Sequence, residues 1–253
     1  MYAAASGMAA QQTNLEIVAD NLANADVAGF KGMAASFADV RAGGTLGLGT
    51  TTLGRHPLFE QGKLMKTGGP FDVAIEGAGF FIVHRGSERA YTRAGEFTRA
   101  PDGTLRNSAG WQLDGVRLPG DALAVRVERD GRIAIDTPTV KNRFVGALQL
   151  ASFPSPENLR PLGATLFAAN PRSGAAHRFS PDLAGGSTIQ FGMLEKSNVS
   201  IVEAMMQILG AQRAYEANAK GVQAADEMLR IGPNIVICLH RFNVLPLIEY
   251  LFA

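Results

Sequence analysis

Four histidines, His56, His84, His177 and His240, and one cysteine, Cys238, are the side chains best suited to nucleophilic, acid–base or metal chemistry, and they are dispersed along 253 residues. Such chemistry needs groups that converge, and none of the spacings that announce convergence is present: no H-E-x-x-H, no C-x-x-C and no G-x-S-x-G. A single cysteine cannot form an intrachain disulfide framework and is read as a small buried apolar residue. Asp72, Glu76 and Glu96 are the carboxylates a glycan hydrolase would use, and they would have to face each other at about 5 to 9.5 Å across a cleft. Gly77-Ala78-Gly79 lacks the third glycine of a dinucleotide fingerprint and leads into Phe80-Phe81-Ile82-Val83 rather than a helix. It is read as a tight turn between strands, its glycines taking positive φ. Tyr91, Phe97 and Trp111 are read as core aromatics and not as a base-stacking platform, because 24 basic against 23 acidic residues leave a net charge of +1 and no counterion-release term. Catalytic, cofactor-binding and metal residues are therefore assigned as none, with no enzymatic activity, no cofactor and no nucleic-acid partner.

The elements that position side chains are more informative than the side chains themselves. Ala4, Met8, Gln11, Leu15, Val18, Leu22 and Ala25 recur at alternating spacings of four and three, which places them on one helical stripe. Asn21, Asn24 and Asp26 before Gly29 predict a stop near Asn24 to Val27. The same spacing returns at the other end in Ile201, Met205, Ile208, Gln212, Tyr215, Ala219, Val222, Asp226 and Leu229. Ser200 and Glu203 have the spacing of a capping box, so this helix is predicted to begin near Ser200. It is predicted to run to about Leu229 and to end at Gly232-Pro233, since proline cannot continue the hydrogen-bond ladder. A globular helical hairpin would show nearly the same periodicity as a coiled coil, but here some 170 residues separate the two stripes. The two ends are expected to pair as a coiled coil.

Between them the pattern is β-like. A Gly/Thr stretch over Gly43 to Thr52 reads as an extended connector, and strands are expected over Phe71 to Ile75, Phe80 to Val83 and Val145 to Phe153. Pro101-Asp102-Gly103 and Arg129-Asp130-Gly131 are turn signals. Short strands without intervening helices predict an antiparallel domain, and the fold class expected is α+β: N- and C-terminal helices pairing as a coiled coil, with a central mainly antiparallel β domain. The expected organisation is 1–40 as N-terminal helix and loop, 41–70 as connector, 71–188 as β domain, 189–229 as C-terminal helix, and 230–253 as a tail of unknown role. The start carries no basic residue before Lys31, so a secretory signal is not expected. The apolar run Ile235 to Ala253 is interrupted by His240, Arg241, Asn243, Pro246 and Glu249, and no membrane insertion is expected.

Ala5-Ser6-Gly7-Met8, Gln11-Gln12, Asn21-Leu22-Ala23-Asn24-Ala25 and Gly29-Phe30-Lys31 resemble the N-terminal signature of the bacterial flagellar rod and hook proteins. Glu195-Lys196-Ser197-Asn198-Val199 and the block Ala211 to Asn218 resemble the C-terminal segment of the same family, and Phe71 to Phe81 its central β segment. Within the family the likeness is closest to the distal rod type, next to the proximal rod type, and the 24 residues from Arg230 to Ala253 depart from the pattern. The resemblance implies a structural subunit that self-assembles into a helical tube transmitting torque from motor to hook. It implies as partners other copies of itself, other rod proteins, the hook protein and the ring proteins around the rod. Location in the basal body and export through the flagellum's own channel follow from the same resemblance. The expected assembly interface comprises Leu15, Val18, Leu22, Met205, Ile208, Gln212, Tyr215, Ala219 and Val222, with Asn21 and Asn24 making polar contacts that fix register.

Overall fold

The computed structural model describes residues 2–40, 49–163, 165–182 and 186–241, with 2 and 231–241 as backbone only. The described chain is α+β, and its residues divide into two compact units, one drawn from Met1–Glu16, Ala35–Gly54 and Met206–Ala253, the other from Ile17–Ala34 and Arg55–Met205.

Helix α1 spans Tyr2–Ala23. Its sheltered side takes in the predicted stripe, with Val18 buried and Ala4, Met8, Gln11, Leu15 and Leu22 half-buried, and extends to Ala10 and Ile17, both buried and one position before it. The helix closes where the asparagines stand, with Asn24 N–H donating to the carbonyls of Asp20 and Asn21, and the turn runs on to Gly29 at φ 69°. Gly29 is required there twice over, because a Cβ would also lie 2.3 Å from the Ala94 nitrogen. Met33–Asp39 and Thr50–Pro57 then form a two-stranded sheet. The connector expected over Gly43 to Thr52 falls partly outside the described residues, and Thr50–Thr52 belong to the second of these strands.

The β region is antiparallel throughout its described pairings. A nine-stranded sheet is built around Phe80–Arg85, and a three-stranded sheet runs through Ala124–Val127, Arg132–Asp136 and Arg143–Ala147. Along Phe80–Arg85 side chains alternate faces, and both faces are dry. Phe81 and Val83 enter one cluster with Phe97, Leu113, Trp111, Ile133 and Ile135, whereas Phe80 and Ile82 enter a second with Tyr91, Phe153 and Phe167. Tyr91 and Phe153 meet edge to face at 4.7 Å.

Two short pairings tie the chain flanking the β region together. Leu64–Lys66 pairs with Met193–Glu195, and Val73–Glu76 with Thr188–Phe191. Residues that lead into the domain thus lie beside residues that lead out of it.

The turn read at Gly77-Ala78-Gly79 is there between Val73–Glu76 and Phe80–Arg85, with Gly77 and Gly79 at φ of 104° and 121°, and the strands it joins belong to different sheets. Two expectations need correction. The strand expected over Val145 to Phe153 is two strands, Arg143–Ala147 and Leu150–Ser152, in different sheets: Leu148 N–H still donates to Gly131 O at 2.8 Å, in register with the Arg132 and Ala147 pair, and two residues on Leu150 lies opposite Phe81. Helix α2 runs Ile201–Arg241, past Gly232-Pro233. An interior proline removes one hydrogen bond and crowds the carbonyl four residues back, a cost of about 3 kcal/mol that a long helix can absorb.

Candidate assembly surface and the joint at its root

The two signature segments quoted from opposite ends of the sequence meet around one buried carboxylate. Gly29 N–H donates to Glu195 O at 2.7 Å, and Lys31 Nζ donates to Glu195 Oε1 at 2.6 Å and to Glu60 O at 2.7 Å. Gly62 N–H reaches the same Oε1 at 2.9 Å, while Arg93 contacts Oε2 at 3.4 Å and donates to Gly77 O at 2.8 Å. The Lys31 and Glu195 side chains have no exposed surface and Arg93 is nearly as dry. Burial lowers the pKa of Lys31, against the opposing pull of Glu195, and it lowers that of Arg93 in the same way. Two cations on one carboxylate make the cluster costly to disrupt and specific in geometry. Sequence reasoning missed all three as a site: Lys31 and Glu195 were visible only as letters of a signature, and nothing in the sequence around Arg93 marks a buried guanidinium.

Asparagines complete the joint. Asn21 makes a two-way bond with the main chain of Met33, its Nδ2 donating to the carbonyl at 2.8 Å and its Oδ1 accepting from the N–H at 2.7 Å. Asn198 Oδ1 accepts from Gly32 N–H at 2.8 Å, and its amide donates to Leu58 O and Glu60 O. Asn24 donates to Asp20 O at 2.8 Å and so closes the last turn of α1.

From this joint α2 departs. Ser200 Oγ accepts from Glu203 N–H at 3.4 Å, the hydroxyl half of the predicted capping box. Its sheltered line is Ala204, Ile208, Ala211, Ala214, Asn218 and Val222, which shares Ile208 and Val222 with the predicted stripe and elsewhere lies one position before it. Of the predicted residues Ile208, Ala219 and Val222 are half-buried, Gln212 is exposed, and Met205 and Tyr215 are 53 % and 42 % exposed. Val202, Met206 and Leu209 extend that bare apolar surface, each more than half exposed. Among the described residues no segment fully covers Met205 or Tyr215. Within the first unit Asn218 lies against Gly7, where a Cβ would be 3.2 Å from its Nδ2.

Of the residues considered for chemistry, those of the β region have local partners. Glu76 accepts from Gln190 Nε2 at 2.6 Å and from Thr188, Asp72 accepts from Thr67, and His84 sits 3.9 Å from Asp114. Tyr91, Phe97 and Trp111 are core residues. Among the described residues no three histidine, cysteine or acidic side chains group as a metal site, and no helix is long and apolar enough to cross a membrane.

Comparison with known proteins places three family descriptions along the chain. Residues 1–31 match the flagella basal body rod protein family, 74–135 the D1 domain of the flagellar hook protein FlgE/F/G, and 190–234 the C-terminal segment of the flagellar basal body rod FlgEFG proteins. The chain is 35 % identical to the flagellar basal-body rod protein FlgG of Agrobacterium fabrum, over 90 % of this chain and 95 % of that one. It is 34 % identical to FlgG of Borreliella burgdorferi over 93 % and 97 %, and 30 % identical to the rod protein FlgF of Caulobacter vibrioides over 91 % and 94 %. The first and last matched segments contain the residues of the buried joint, Lys31 and Glu195.

Proposed function

The chain belongs to the flagellar basal-body rod protein family, and on that premise we propose that its copies stack through their terminal helices to build the distal part of the rod. It is a structural subunit and not an enzyme. The observation that carries the assembly reading is the bare apolar surface of α2 at Val202, Met205, Met206, Leu209 and Tyr215. Covering such surface is favourable by about 25 cal/mol per Å² of apolar area. Head-to-tail contacts that do not close generate an open helical filament, the form a drive shaft needs.

In this reading Leu15, Val18 and Leu22 of α1 and Met205, Ile208, Gln212, Tyr215, Ala219 and Val222 of α2 pair as a coiled coil on the inside of the tube. Asn21 and Asn24 help to fix register, and the β domain faces outward. Isolated helices are marginal until packed, so the ends gain order as they assemble, which suits passage through a narrow export channel. The partners are other copies, the neighbouring rod proteins, the hook protein and the surrounding rings, in the part of the basal body that spans the periplasm. The distal assignment draws support from the relatives named FlgG at 34 to 35 % identity beside the FlgF relative at 30 %. Locating the tagged chain in purified basal bodies by electron microscopy tests it: density adjoining the hook supports the distal position, and density only at the base of the rod contradicts it.

A further inference from the structure

At the seam between the nine-stranded and the three-stranded sheet lies a pocket of about 470 Å³, lined by Arg99, Arg117 and Arg143 together with the Asp102-Gly103 turn and Gly120. We propose that this pocket binds an anionic ligand bearing carboxylate or phosphate groups.

The lining is cationic and held in place. Arg99 donates to Pro119 O at 2.8 Å and Arg117 to Asp102 O at 3.2 Å, so main-chain carbonyls aim both guanidiniums and leave their remaining N–H groups available. None of the three arginines has a carboxylate partner among the described residues. Asp102, the acidic residue of the lining, is already matched: Arg106 reaches its Oδ2 at 2.5 Å and Thr104 donates twice to its Oδ1. The frame is stiff as well. A Cβ on Gly103 would lie 2.1 Å from Leu118 O, and Arg143 follows Asn142, a non-glycine residue at φ 58° held there by Asp136 Oδ1 at 2.9 Å. Preset guanidinium forks suit the planar or tetrahedral oxygens of carboxylate and phosphate, and a concave site concentrates their field. The volume falls in the range of small-ligand sites.

Calorimetric titration of the full chain with citrate and, separately, with pyrophosphate, at fixed ionic strength, tests the site. Saturable binding of one equivalent of at least one probe is expected, and the probe preferred assigns the acidic group. The Arg117→Gln/Arg143→Gln double variant should bind about tenfold more weakly or worse. Arg143→Gln alone, at an exposed strand end, should lose affinity in the same direction, and Arg89→Gln, an exposed arginine outside the pocket, should bind as the parent does. Absence of saturable binding by both probes overturns the proposal, as does an equal loss in Arg89→Gln, which would mean unspecific charge attraction.

Discussion

Lys31 Nζ and Glu195 Oε1 lie 2.6 Å apart with both side chains sealed from solvent, although 164 positions separate them in the sequence. Because Arg93 shares the same carboxylate, neutralising Glu195 leaves two buried cations without a counterion. Glu195→Gln is expected to destabilise the β-domain unit by about 3 to 5 kcal/mol, the usual cost of breaking a buried pair from one side. Urea unfolding measures it as a fall in midpoint, and a loss under about 1 kcal/mol would mean that the cluster is solvated in solution.

Asn21→Ala removes both bonds to the Met33 main chain and leaves a partly buried N–H and C=O unanswered. A loss of about 1 to 3 kcal/mol is expected, together with faster amide exchange at Met33. Asn21→Asp retains the acceptor for Met33 N–H and should lose less.

Hydrogen bonds from the Thr104 hydroxyl and N–H, with help from Arg106, hold the Asp102 pKa down to about 2. Its folded pKa lies below the unfolded value of about 3.9, so the unfolded chain binds more protons in this window. The contribution of Asp102 to stability is therefore complete above about pH 4 and fades as pH falls towards 2. Carboxyl titration by NMR should place Asp102 near 2, and Thr104→Val should raise it towards the ordinary value; an unchanged value in that variant would assign the shift to another cause.

What the sequence disclosed was local. The stripe of α1 could be read because its period is written in consecutive residues, and Ser200 marked the start of α2 because a cap needs only four positions. The turn glycines Gly77 and Gly79 were legible from their surroundings for the same reason. Burial of Lys31, Arg93 and Glu195 was not, since a charged residue becomes a core residue only when a partner from far along the chain arrives. The division of Val145 to Phe153 between two sheets depends equally on distant strands. The bare line of α2 through Met205 and Tyr215 reads as a helical face, but its exposure is a property of the folded chain.

Charge placed on that line tests the assembly account most directly. Met205 and Tyr215 are 53 % and 42 % exposed, so the Met205→Asp/Tyr215→Asp variant should fold with little change in unfolding midpoint. Expressed in cells lacking the native subunit, it should yield basal bodies without the distal rod, because a charge buried at a subunit contact is strongly unfavourable. Complete rods containing the variant, seen by electron microscopy of purified basal bodies, would contradict the assignment of this face to assembly.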